Sequence, residues 1–186
     1  MHNYHALYKC FPPAAIFDST RKPLLSWRVA LLPFMEEKQL YDQFHLNEPW
    51  DSPHNLPLAD AIPLVFQCPS DTRSALNASS YIIVEGKETC FPTSSQVAIS
   101  GIKDGTSLTI LFGEVAGNQS PWTKPDNLSF DEVVTGQVKF SSGHPGGWTA
   151  GFVDGTARSM SSNISTDVLR KLLTIAGNEV INENEF

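Results

Sequence analysis

Trp148-Thr-Ala-Gly-Phe-Val-Asp-Gly-Thr-Ala-Arg-Ser-Met160 decides the fold. Trp148–Val153 and Thr156–Met160 are short β-rich runs, and Asp154-Gly155 between them fits a tight turn that needs positive φ. No residue is spare, so the stretch reads as an antiparallel hairpin. Outward from it, Ser107–Val115 is a third strand: Leu108, Ile110 and Phe112 alternate with Thr109 and Leu111, which predicts one well-buried face. A second Asp-Gly pair, Asp104-Gly105, precedes it. Leu64–Cys68, Ser80–Glu85 and Val97–Ile102 complete the β-rich runs after Pro63, punctuated by Gly, Pro, Asp and Asn.

Helix signals lie on either side. His2–Lys9 places Tyr4, Leu7 and Tyr8 at three-to-four spacing and stops at Phe11-Pro-Pro, because proline lacks the amide and restricts its predecessor. Ser26 caps a helix with Trp27, Ala30, Leu31 and Phe34 on one side, which Pro33 kinks or splits. Glu36–Phe44 and a short helix around Leu56–Ala61 follow. Near the end, Ser165 or Thr166 caps Val168, Leu169, Leu172, Leu173 and Ala176, with Gly177 as terminator. Gly117–Asp131, which holds Pro121, Trp122 and Pro125, reads as irregular. Helices, then an antiparallel sheet, then a helix is an α+β order rather than alternating βαβ. The expected organisation is one domain over residues 1–177, with residues 1–10 as the end of a longer, truncated helix and 178–186 as a polar, acidic, frayed tail.

The 186 residues carry 13 Lys+Arg against 20 Asp+Glu, a net charge of −7, with no basic cluster. A nucleic-acid partner needs a basic footprint and is not expected. No stretch approaches the roughly 18 apolar residues of a membrane span. No Gly-x-Ser-x-Gly elbow, His-Glu-x-x-His or phosphate-binding Gly-Lys-Ser/Thr loop occurs, and no catalytic set is expected.

The remaining chemistry-bearing residues are scattered. His2 and His5 could face one metal from a helix, but no third ligand is predictable. His144, among glycines in Gly143-His144-Pro145-Gly146-Gly147, and Asp154 look like a pair. Yet an extended Trp148–Asp154 separates its ends by about 20 Å, and the steps from His144 to Trp148 reach back at most about 14 Å. His144 then reads as a loop residue and Asp154 as a turn residue. Asp104, Glu114, Asp126 and Asp131 could offer oxygens to calcium, without a calcium-loop pattern. The chain holds 3 cysteines and no C-x-x-C. A Cys10–Cys90 bridge with Cys68 left over stands beside three buried thiols in a reducing compartment. The Asn-x-Ser sequons at Asn77, Asn118, Asn127 and Asn163 matter only on a eukaryotic secretory route.

Taken in order, the motifs are His2-Asn-Tyr-His5, Phe11-Pro-Pro, Ser26-Trp-Arg-Val29 and Leu46-Asn-Glu-Pro-Trp-Asp-Ser-Pro-His-Asn55. Cys68-Pro-Ser-Asp71, Asp104-Gly-Thr-Ser107, Pro121-Trp-Thr-Lys-Pro125 and His144 to Asp154-Gly155 follow. The series resembles the planctomycete pilin-like family of unknown function, whose members carry a C-terminal signature of His, nine residues, then Asp-Gly. The resemblance runs from His2 to about Gly177. It implies a pilin-like head in which a helix remnant and a helical segment pack on an antiparallel sheet, with a C-terminal helix. Members of that family usually begin with a prepilin leader and a long apolar helix; this chain lacks both, so anchoring and assembly are implied for a longer form only. The resemblance further implies that Cys68 pairs with a cysteine upstream of residue 1, alongside Cys10–Cys90, in an oxidising compartment.

The function expected on these grounds is a non-catalytic cell-envelope head of pilin or pseudopilin type. It would sit on the periplasmic side of the inner membrane or the cell surface and present loops to other envelope or pilin-like proteins. The alternative is a soluble extracytoplasmic module for glycan, peptide or calcium. Trp50 and Trp122 in their Pro-rich loops would then supply stacking surfaces, and calcium would sit near Asp104 or Glu114. No cofactor is expected beyond that ion.

Overall fold

The structure, a computed structural model, describes residues 1–178. The tail expected over 178–186 therefore lies outside the described residues beyond Asn178. The chain begins with helix α1 (His2–Tyr8), the hairpin β1 (Ala15–Phe17) and β2 (Pro23–Ser26), and helices α2 (Trp27–Leu31) and α3 (Lys38–Tyr41). After two 3-10 turns come β3 (Tyr81–Ile82), β4 (Val84–Glu85), β5 (Ile110–Glu114), β6 (Leu128–Ser129) and α4 (Phe130–Val134). Strands β7 (Gly147–Phe152) and β8 (Ala157–Ser161) and helix α5 (Thr166–Leu173) follow. The fold is α+β. Its centre is a four-stranded sheet in the order β3-β5-β7-β8, every pair antiparallel.

Both predicted caps hold. The Ser26 hydroxyl accepts from the Arg28 N–H, and the Ser165 hydroxyl from the Val168 N–H. Pro33 ends α2 in a 3-10 turn, Leu32–Phe34, as a residue without an amide must. α5 stops at Leu173, earlier than Ala176-Gly177 suggested. Thr174 turns extended, and the Ile175 N–H pairs with the Glu88 carbonyl instead of continuing the helix.

Two β predictions are corrected. Leu64–Cys68 is no strand: Leu64–Phe66 is a 3-10 turn, with Leu64 and Val65 exposed. Val97–Ile102 is likewise a 3-10 turn at Ile99–Gly101. The hairpin forms, with Trp148 opposite Met160 and Gly151 opposite Ala157. Its loop is three residues long rather than two. The Phe152 N–H pairs with the Thr156 carbonyl, and Gly155 alone takes positive φ, 87°.

β5 is buried on both faces. Ile110 joins the core that α5 covers, with Trp148, Phe152 and Leu172. Leu111 joins a second core on the opposite face, with Phe11, Trp27, Ile83 and Val153. A register shift between Ile110 and Phe112 breaks the alternation, so Phe112 stays with the second core. A side chain at Gly113 would run into Phe140 and Trp148 of the first, at 2.4 and 2.9 Å. Glu114 is thereby turned away from the α5 side, the re-aiming that a β-bulge brings about. A third core gathers the helical front, Leu25, Leu32, Phe44 and Phe66, around Trp122.

Candidate functional site

Three segments far apart in sequence meet at the C-terminal end of β5, beside the start of β7. The first is Cys68-Pro-Ser-Asp71. The Cys68 N–H donates to the Ser80 hydroxyl at 2.9 Å. The Asp71 carboxylate accepts from the Ser74 hydroxyl at 2.5 Å and from the Gly117 N–H at 3.1 Å. Burial opposes ionisation of Asp71, but the hydrogen bonds from Ser74, the Arg73 N–H and the Gly117 N–H together hold its carboxyl below the ordinary range. The second is the loop before β7, where the Ser142 hydroxyl accepts from the His144 N–H at 2.9 Å and donates to the Gly147 carbonyl at 2.5 Å. The two loops touch through Gly143: a Cβ there would lie 2.3 Å from the Ser70 carbonyl oxygen. Only glycine permits that approach. Arg73 adds a hydrogen bond to the Ser142 carbonyl, 3.2 Å.

The third segment is Glu114 itself, 1% exposed. Its Oε2 accepts from the Thr149 N–H at 3.1 Å, and its Oε1 has no hydrogen-bond partner among the described residues. An unsatisfied buried carboxylate oxygen costs about 1–3 kcal/mol or more. Cys68 Sγ lies 3.3 Å from His144 Nε2, which lies 3.9 Å from Glu114 Oε1. The three donor atoms all fall within 4.8 Å of one another. Burial, then the neighbouring Glu114 carboxylate, pushes the Cys68 thiol up, while the backbone N–H groups of Ser70 and Asp71 pull the other way. Cys68 and Glu114 are buried, whereas the His144 side chain is 49% exposed and gives the group its face to solvent. A thiol, a carboxylate and an imidazole so placed can share a proton or bind a metal.

The other sequence candidates are not drawn in. Asp154 stays in its turn, accepting from the Thr156 N–H and hydroxyl at 2.9 and 2.7 Å, and lies 3.5 Å from Arg158. The Asp104 carboxylate is taken up by the Gly177 and Asn178 N–H groups, each at 2.7 Å, so Asp104 and Glu114 serve different neighbourhoods. His5 Nε2 accepts from the Ile99 N–H at 3.1 Å, and the His2 ring stands edge-on to Phe11. The three cysteines are free in the structure, and the Cys10–Cys90 bridge is not formed. Cys90 lies in the second core, while the Cys10 thiol donates to the Tyr8 carbonyl beyond α1.

Trp122 is not a stacking surface. It is 1% exposed, stacks on Phe66 and donates from Nε1 to the Ala59 carbonyl at 3.0 Å. Trp50 is partly buried against the same core, with the Lys124 ammonium 5.9 Å from its ring. A separate open cleft of about 710 Å³ lies beside α1, lined by Tyr4, Tyr8, Phe17, Arg21, Phe34 and Tyr41 among others.

The sequence singled out Cys68, Glu114 and His144 separately and never together. Cys68 and His144 stand 76 residues apart, and no spacing rule links them. Fold and site thus define an α+β domain with a thiol–carboxylate–imidazole group at one sheet end. The family model described as "protein of unknown function (DUF1559)" matches residues 1–96, about half the chain, and the chain belongs to that family. The matched part includes Cys68 and stops short of Glu114 and His144. Comparison with curated proteins gave no match. Comparison with solved structures gave none either.

Proposed function

We propose that this chain is the non-catalytic head of a pilin- or pseudopilin-like envelope protein. A helix continuous with α1 would hold it on the outer side of the cytoplasmic membrane, and its loops would meet like chains or other envelope proteins. The placement of α1 carries the reading. The helix has no fully buried residue. It rests on the body through Tyr4 and the preceding Met1, against the core to which Leu111 of β5 and Val153 of the adjoining hairpin loop belong. The Tyr4 and Tyr8 rings flank Phe34 at 5.4 and 6.1 Å. A stem docked at its lower end on one sheet face would make these contacts. The motif series from His2 to Gly155 supports the same reading. No helix among the described residues is long and apolar enough to cross a membrane, so anchoring depends on a segment preceding α1.

Expression of the gene with its native upstream sequence in the source organism tests this. The expected outcome is recovery in the envelope fraction, with the head digested by protease added to intact spheroplasts. Recovery as a soluble cytosolic protein overturns it. Recovery as a soluble exported protein also overturns anchoring, and the aromatic cleft beside α1 then becomes the surface of a binding module.

A further inference from the structure

We propose that Cys68, Glu114 and His144 form a zinc site, binding one Zn²⁺ per chain through Sγ, Oε1 and Nε2. This goes beyond the envelope reading and stands or falls apart from it. The spacing fits. Zinc bonds of about 2.3 Å to sulfur and about 2.0–2.1 Å to nitrogen and oxygen put tetrahedral ligands about 3.3–3.6 Å apart. Here sulfur and imidazole nitrogen are 3.3 Å apart and nitrogen and carboxylate oxygen 3.9 Å. The third edge, from sulfur to carboxylate oxygen, is within 4.8 Å, so metal binding would draw the Glu114 oxygen inward by about half an ångström to one ångström toward the other two donors.

The carboxylate is the second, independent observation. Glu114 is 1% exposed, its Oε2 is fixed by the Thr149 N–H, and its Oε1 is left without a partner beside the other two donors. A cation satisfies that oxygen, and the Thr149 N–H is the outer contact that orients a ligating carboxylate. The loops bearing Cys68 and His144 are already locked together at Gly143.

Donor chemistry selects the ion. Calcium takes six to eight oxygen ligands, and magnesium an octahedral oxygen shell. A thiolate, an imidazole and one carboxylate suit zinc. Three protein ligands leave the fourth position to water, on the side where His144 is half exposed. Binding displaces the thiol proton, so affinity rises with pH.

The test uses the 186-residue protein, reduced and chelator-treated. Native mass spectrometry after adding Zn²⁺ is expected to show one ion per chain, with a raised melting temperature that Ca²⁺ does not reproduce. Co²⁺ is expected to give a thiolate-to-metal charge-transfer band in the near ultraviolet and intense visible bands of four-coordinate geometry. Cys68→Ser removes the charge-transfer band, and His144→Ala and Glu114→Gln each weaken Zn²⁺ binding by on the order of 100-fold or more. Cys10→Ser leaves binding intact. Circular dichroism identifies any variant that fails to fold, and Glu114→Gln, nearly isosteric, keeps the test open if Cys68→Ser does fail. Sub-stoichiometric zinc, a cobalt spectrum without the sulfur band, or unchanged affinity in folded Cys68→Ser or Glu114→Gln overturns the proposal.

Discussion

Cys90 shows how burial alone sets a residue's chemistry. It is 2% exposed in the second core, and burial pushes its thiol from 9.0 up to about 12. The thiolate is the nucleophile, so at pH 8 Cys90 is inert while Cys10, at the surface end of α1, reacts. The same shift carries a sign for stability. A group whose pKa is raised in the folded state holds its proton where the unfolded chain has lost it. Its contribution is fully present below about pH 9 and is lost as pH rises toward 12, at about 1.4 kcal/mol per pH unit. Comparing the protein with Cys90→Ala isolates this group from every other titration. The destabilisation by the substitution, measured by urea unfolding, is expected to shrink steadily from pH 9 to pH 11. A difference that stays constant over that range would show that Cys90 ionises in the folded state as readily as in the unfolded one.

At the scale of elements, the stretch from His144 to Asp154-Gly155 is one strand with its two ends. His144 leads into β7 and joins the three-donor group; Asp154-Gly155 closes the hairpin at the far end. The turn's demand falls on Gly155, at φ 87°. A Cβ there meets nothing closer than His2 Nε2 at 3.5 Å, so the cost of substitution is backbone conformation rather than collision. Gly155→Ala is expected to cost about 1 kcal/mol, and Gly155→Asn less, because asparagine tolerates the left-handed region. Both appear as shifts in the urea midpoint at unchanged slope. Equal losses for alanine and asparagine would point to the His2 contact instead. This hairpin was legible because its alternation and turn chemistry are local. The exposed Leu64-Val65 pair was not, since an apolar run looks the same buried or bare. β5 misled for a different reason: the register shift after Ile110 is a property of pairing with β7, and it alone turns Glu114 toward Cys68 and His144. The candidate site was therefore visible residue by residue and invisible as a site.

Over the whole molecule, a buried cation bridges the helical front and the sheet, beside the apolar contacts that Trp27 and Leu31 make in the second core. Arg28 on α2 is 2% exposed, with its guanidinium 4.7 Å from the Trp27 ring. It donates to the Ser26 hydroxyl at 2.9 Å and across to the Tyr81 carbonyl of β3. Its Nε has no hydrogen-bond partner among the described residues, and Asp126 offsets the burial only through space. The folded state bears the cost of removing this charge from water, and two hydrogen bonds offset part of it. Removing the side chain strands no acceptor. The Tyr81 carbonyl still accepts from the Ser79 hydroxyl at 3.0 Å, and the Ser26 hydroxyl still accepts from the backbone N–H of residue 28. Arg28→Met keeps the length and apolar contact and drops the charge. It is expected to leave stability unchanged or raise it by about 1–4 kcal/mol. Arg28→Lys keeps the buried charge but loses the planar fork that reaches both acceptors, and is expected to destabilise by about 1–3 kcal/mol. Urea unfolding of the two variants beside the parent protein checks the order. If Arg28→Met is the less stable of the two, the bond from α2 to β3 outweighs desolvation, and the helical front depends on that link to stay on the sheet.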